Sequence, residues 1–272
     1  MSRGLSLPLY KVDAFTNHPF SGNPAAVCLL RKDLSPETML AIAAEMNLSE
    51  TAFVGPVDDE GVRSLRWFTP SVEVPLCGHA TLATSHVLLR EVEAKPPLRF
   101  STLSGILTVQ EEPDGWLRMD FPDDPPVPAP VPDGLLEALG CSTAAPAVCG
   151  VKLWIVRLDS EEAVLAVNPD MTALARVDIG DTPLGVSVTA PGSEDTDFVS
   201  RFFGPWVGVN EDPVTGMAHT VLGPYWMDEL GSDTLAARQV SARGGSLRVA
   251  REGDRILVSG QAVTVVRGIL EI

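Results

Sequence analysis

The chain has 272 residues, 45% hydrophobic and 21% charged, which is length enough for two domains that each bury a core. Its 20 Lys and Arg stand against 36 Asp and Glu, a formal net charge of −16 with no basic run, so a nucleic-acid backbone and an anionic membrane surface are excluded as partners. No apolar run approaches the ~18 residues of a spanning helix, and Leu5 to Tyr10 is too short for a signal peptide. Four cysteines (Cys28, Cys77, Cys141, Cys149) fit neither a zinc spacing nor a disulfide framework. The expectation is a soluble, cytoplasmic protein with reduced thiols and no bound metal.

In chain order, Leu9 to Phe15 alternates with the strand period and Ala25 to Leu30 is an apolar run of strand length, separated by the turn-rich Asn17 to Pro24. Ser35-Pro36 reads as a helix start, the hydroxyl capping and the proline at the first helical position, and Met39, Leu40, Ile42, Ala43 and Met46 give that helix an apolar face up to Asn47. Strands are expected at Thr51 to Val54 and Ser64 to Phe68, then a buried helix at Thr81 to Arg90. Three antiparallel strands follow at Arg99 to Leu103, Gly105 to Gln110 and Trp116 to Phe121, with Asp114-Gly115 as a hairpin turn. Pro122 to Gly134 carries six prolines in thirteen residues, cannot continue a helix or a central strand, and is expected to be an extended linker.

Beyond the prolines the order of elements roughly repeats. A short helix is expected at Leu135 to Leu139, a strand at Lys152 to Leu158, a helix at Met171 to Ala175 and a strand at Leu184 to Thr189. A second buried helix begins at Gly216, and strands at Ser246 to Arg251, Arg255 to Gly260 and Gln261 to Leu270 close the chain. This is a mixed, mostly antiparallel α/β chain in two comparable halves.

One short signature occurs in both halves. Leu76-Cys77-Gly78-His79-Ala80-Thr81 opens the first apolar helix, and Val214-Thr215-Gly216-Met217-Ala218-His219-Thr220 opens the second. A glycine where a Pro-containing turn enters a helix lets the backbone approach a ligand, and the N–H groups of the first turn suit an anion. Two such ends would bracket a small carboxylate; either is also compatible with an ordinary loop-to-helix turn.

Glu50 stands between a helix and the apolar Ala52-Phe53-Val54. Partial loss of solvent there raises a carboxyl pKa toward the range useful for proton transfer, while a Glu satisfied by local N–H groups fits the position equally well. His79 at a helix N-terminus is kept neutral and able to hand on a proton or orient a ligand, or else it bonds the turn. Asp212, before Pro213, is a second polar candidate or a helix cap. Cys77 and Thr215 occupy matching places before the two glycines. A two-thiol racemase would need Cys at both.

Asp13-Ala14-Phe15, Gly22-Asn23-Pro24-Ala25-Ala26-Val27, Asn47-Leu48-Ser49-Glu50-Thr51, Arg66-Trp67-Phe68-Thr69-Pro70, Glu73 to Thr81 and Glu211 to Gly216, in this order over nearly the whole chain, resemble the phenazine-biosynthesis PhzF-like family. The Trp67 and Cys77 versions resemble the animal-type "phenazine biosynthesis-like domain-containing" members most closely. The resemblance implies a diaminopimelate-epimerase-like fold: two similar domains, each a barrel-like sheet around a central helix, with the active site between them. It places residues 1–121 with about 263–272 in the N-terminal domain and 135–262 in the C-terminal domain, joined by the linker 122–134.

It further implies a cofactor-independent isomerase that moves a proton between carbons of a small amino or hydroxy acid. Glu50 would be the acid/base, with His79 and Asp212 as catalytic partners and Asn23, Gly78, Thr215, Gly216 and Met217 holding a carboxylate-bearing substrate. Homodimers are implied as well. The chain departs from the family at Met217, where a Ser is common, which removes a hydroxyl donor and makes the phenazine-pathway substrate itself a poorer fit. Two other functions stay open: a Cys77-dependent epimerase or dehydratase on the same fold, and a non-catalytic protein-interaction module.

Overall fold

The chain enters its first sheet through a turn that only glycine permits. Strand β1 (Ser6–Ala14) runs antiparallel to β2 (Asn23–Leu29), and Gly22 between them has φ +65°. A Cβ on Gly22 would lie 2.1 Å from the Ala14 carbonyl oxygen, so the close return that pairs Ala14 with Asn23 requires its absence. Helix α1 (Pro36–Met46) follows as expected. Ser35 Oγ accepts from the Thr38 N–H, Pro36 fills the first turn, and Asn47 closes the helix in the left-handed region at φ 50°. Its buried Met39, Ile42 and Ala43 pack with Leu7, Cys28, Phe53 and Phe68 on one face of the sheet.

The computed structural model describes residues 6–142, 146–193 and 195–272, and its contacts divide the chain into two units, Met1–Asp120 with Ser259–Ile272 and Phe121–Val258. Leu5, the start of the apolar stretch Leu5 to Tyr10, lies outside the described residues.

In the first unit β3 (Glu50–Val57) lies parallel to β2, β4 (Val62–Phe68) antiparallel to β3, and the short β5 (Glu73–Val74) antiparallel to β4. Then α2 (Gly78–Arg90) leads to β6 (Leu98–Thr102), which is parallel to β4, and to the antiparallel β7 (Gly105–Glu111) and β8 (Leu117–Pro122). The last strand of the chain, β18 (Ala262–Glu271), runs antiparallel to β1 along its whole length. Ten residues of α2 are buried, His79 to Ser85 and Val87 to Leu89, so the helix is enclosed nearly all round, and its Thr81, Thr84 and Ser85 hydroxyls donate to carbonyls of its own preceding turn. His86 Nε2 meets Thr264 Oγ1 of β18 at 3.2 Å.

The second unit repeats this pairing. It starts with β9 (Val127–Pro128), α3 (Leu135–Leu139), β10 (Ala147–Cys149) and β11 (Leu153–Arg157), then α4 (Glu161–Ala166) and α5 (Met171–Leu174). Strand β12 (Gly185–Pro191) is parallel to β11, β13 (Phe198–Gly204) antiparallel to β12, and β14 (Val209–Asp212) antiparallel to β13. After α6 (His219–Leu230), β15 (Thr234–Gln239) is parallel to β13 and β16 (Gly245–Glu252) antiparallel to β15, before β17 (Arg255–Gly260). The order parallel, antiparallel, antiparallel, helix, parallel, antiparallel therefore occurs in both halves. Leu135, Leu139, Val164 and Leu174 from the short helices pack on Trp154, Val156, Val186 and Val188. On α6, Trp226 stacks on Phe198 with ring centroids 5.7 Å apart and donates its indole N–H to Thr189 Oγ1 at 2.9 Å.

Three expectations are corrected. Residues 122–134 do not form a free linker: they belong to the second unit, and Val127–Pro128 pairs with β10, where a two-residue strand tolerates a proline. Residues 259–262, expected in the C-terminal domain, belong to the first unit. The second buried helix starts at His219 rather than Gly216, because Gly216 to Ala218 form a tight turn in which His219 N–H and Thr220 N–H donate to the Gly216 and Met217 carbonyls.

Candidate active site

In the first unit the polar candidates come from two adjacent parallel strands and one helix start. Ala25 of β2 pairs with Glu50 of β3, so Asn23, two residues before Ala25, projects from the same sheet face as Glu50. Asn23 is fully buried at the first position of β2. Asp13, also buried, accepts from the Phe20 N–H at 2.7 Å and shapes the turn that leads into Asn23.

Glu50 opens β3 with its side chain 18% exposed, and His79 Nε2 lies 3.2 Å from its Oε2. His79 is at the second position of α2 and buried, which holds its pKa down to about 4, so the ring is neutral at neutral pH and the two groups are not an ion pair. Nε2 makes no aligned hydrogen bond. The other ring nitrogen, Nδ1, lies 3.5 Å from Cys77 Sγ. Glu50, Cys77 and His79 thus form one cluster, with one polar atom from each within 4.8 Å of the others. Cys77 is the N-cap of α2 and offers no side-chain cap, leaving that helix start to its backbone N–H groups and to Gly78, which is half-buried.

In the second unit Asp212 ends β14, so it is a strand terminus rather than a helix cap. Thr215 Oγ1 donates to Asp212 Oδ2 at 2.5 Å. Gly216 is buried and Met217 half-buried in the turn before α6, whose start at Ala218 also has no side-chain cap. The two signatures share a local device. Thr81 Oγ1 donates to the Cys77 carbonyl at 2.6 Å, and His219 Nδ1, four residues after Thr215, donates to the Thr215 carbonyl at 2.9 Å. In each unit the residue before the glycine is tied down by a side chain one helical turn later.

Two residues at this second turn escaped the sequence reading. Gln239 is fully buried on β15; its Oε1 accepts from the Thr215 N–H at 2.9 Å and its Nε2 donates to the Asp212 carbonyl at 2.7 Å. His219 is buried with its pKa lowered to about 4 by desolvation. A buried polar residue on a strand has no local signature, and β15 itself was not expected. Position four after Thr215 was the one available clue for His219.

Residues 12–268 match the family model of the phenazine biosynthesis-like proteins. This chain belongs to the PhzF-like family. An uncharacterized isomerase of Pseudomonas aeruginosa is 51% identical over 269 residues, covering 98% of this chain and all of that one. A phenazine biosynthesis-like domain-containing protein of Mus musculus is 42% identical over 98% of this chain and 99% of its own length. Among solved structures, a PhzF-family protein of Enterococcus faecalis superimposes with a TM-score of 0.91 at 41% identity, covering 98% of this chain and all of that one. The PhzF-like fold, mixed α/β and sheet-dominated, is therefore the fold of this chain. Among the described residues no helix is long and apolar enough to cross a membrane.

Proposed function

We propose that this protein is a PhzF-like isomerase in which Glu50 carries a proton between two carbons of a small carboxylate-bearing amino or hydroxy acid, without a cofactor. The observation that carries the reading is the partly buried Glu50 carboxylate facing a neutral His79 at 3.2 Å. An acid/base that takes a proton at one carbon and returns it at another must be stable in both states. A neutral imidazole serves that need: its Nε2–H faces Glu50 when the carboxylate is ionised, and its Nε2 lone pair faces it when Glu50 holds the proton. Each tautomer leaves Nδ1 in the complementary state toward the Cys77 sulfur.

The uncapped start of α2, with Gly78, suits the substrate carboxylate, and Asn23 on the Glu50 face supplies further hydrogen bonds. Asp212, Thr215, Gly216 and Met217 are assigned to catalysis and substrate holding in the same proposal. The half-buried Met217 favours a substrate with an apolar portion. Relatives named as isomerases support the reaction class. The protein is proposed to act in the cytoplasm and as a homodimer.

The 3.5 Å contact of Cys77 Sγ with His79 Nδ1 favours one second reading, an epimerase or dehydratase in which a Cys77 thiolate is the base. Incubation in D2O with a panel of small amino and hydroxy acids, followed by NMR, tests the proposal. Deuterium entering at carbon, with a shifted double bond, supports it. Exchange at a single stereocentre with inversion would favour the thiol reading.

A further inference from the structure

The Glu50–Cys77–His79 cluster offers one sulfur, one imidazole nitrogen and one carboxylate oxygen within 4.8 Å of one another. We infer that this cluster is a binding site for a thiophilic divalent cation, of which Zn2+ is the natural example. Three donors of this type with a fourth position left open match the way zinc is held at sites where it also meets a small ligand.

The geometry carries the inference. With Zn–S near 2.3 Å and Zn–N near 2.0 Å, tetrahedral ligands stand about 3.5 Å apart. Cys77 Sγ and His79 Nδ1 already stand 3.5 Å apart, and a carboxylate oxygen of Glu50, an imidazole nitrogen of His79 and the sulfur all lie within 4.8 Å of one another. The opposite nitrogen, Nε2, is buried without an aligned hydrogen bond while facing Glu50 Oε2 at 3.2 Å. A metal on Nδ1 fixes the Nε2–H tautomer, and Glu50 leaves Nε2 to reach the ion, because a carboxylate on the metal cannot also accept from the opposite edge of the same ring.

Charge agrees as well. A cation beside a helix N-terminus is unfavourable alone, but a thiolate and a carboxylate neutralise its two charges, and the start of α2 favours the thiolate. No sequence spacing announced the site, because only Cys77 and His79 are close in the chain and the third donor arrives from β3.

The consequence for activity rests on the proposed role of Glu50. A carboxylate engaged with the ion is not available to move a proton, so occupancy makes the enzyme inactive and chelation restores it.

Titration with Co2+ alone, read by absorbance, tests the site independently of any substrate. The expected result is one Co2+ per chain with thiolate-to-metal charge-transfer absorption and the visible bands of a tetrahedral ion, displaced by Zn2+. Cys77→Ser should abolish the charge-transfer absorption. His79→Gln should weaken binding at least tenfold, and Glu50→Gln should weaken it while keeping the charge-transfer absorption. The double variant Cys141→Ser/Cys149→Ser should bind like the parent, and circular dichroism verifies that each variant is folded. Wild-type protein without the charge-transfer absorption, or folded Cys77→Ser protein that retains it, overturns the site. If the site binds as expected but Zn2+ leaves turnover untouched, the site stands and the role of Glu50 in the reaction falls.

Discussion

Gln239 accepts a hydrogen bond from the Thr215 N–H at 2.9 Å across 24 residues of sequence, and its amide nitrogen donates to the Asp212 carbonyl at 2.7 Å. One buried side chain thus fixes the backbone on both sides of Pro213 and Val214. Replacing it by Leu keeps the volume and removes both bonds from this half-buried turn, and loss of a partner for a buried polar group costs about 1–3 kcal/mol. Urea denaturation of Gln239→Leu should show a loss in that range or above it. A change below about 0.5 kcal/mol, the ordinary scatter of surface substitutions, would mean the loop is held by other contacts.

Burial of His79 and His219 makes stability depend on pH in a defined window. Both pKa values fall from 6.5 to about 4. Between those values the unfolded chain binds protons that the folded chain refuses, so stability rises with pH from about 4 to 6.5 and is fully present above 6.5. The upper bound is about 3 kcal/mol per histidine. Denaturant titrations at pH 7.5, 6.5, 6 and 5.5 should show a steady loss of stability as pH falls, before the carboxylates contribute. His219→Asn should flatten the slope. A pH-independent stability over this range would contradict the burial argument.

The turn at Gly22 should not accept a side chain. Gly22→Ala places a methyl 2.1 Å from the Ala14 carbonyl oxygen and 2.8 Å from Thr16 Cγ2, at φ +65°. The left-handed backbone alone costs about 1–2 kcal/mol, and the clash adds to it by displacing the start of β2 with Asn23. A lowered Tm by calorimetry is expected. An unchanged Tm would show that the turn relaxes without cost.

Local signals carried much of this fold into view. Ser35-Pro36 and Asn47 marked both ends of α1 because capping is chemistry within four residues, and Asp114-Gly115 marked a hairpin because Gly115 takes φ 82°. Strands β13, β14 and β15 escaped because partners distant in sequence decide them: β15 pairs in parallel with β13 around the whole of α6. The start of α6 was misplaced since a single tight turn and a helix share the same residues at Gly216 to Ala218. At the candidate site, Glu50, Cys77 and His79 were named from their sequence positions. Their distances, and the buried Gln239 behind Asp212 and Thr215, depend on how strands far apart in sequence pair.

The most direct test of the account is deuterium exchange at substrate carbon by the Glu50→Gln protein. Glutamine preserves the size of the side chain and its hydrogen-bonding reach toward His79, but it has no acidic proton to give or take. General acid–base catalysis of this kind contributes roughly 10²–10⁴-fold, so exchange should fall by that factor while the fold, followed by circular dichroism, and binding of a carboxylate ligand persist. Exchange at the wild-type rate in folded Glu50→Gln protein would contradict the account.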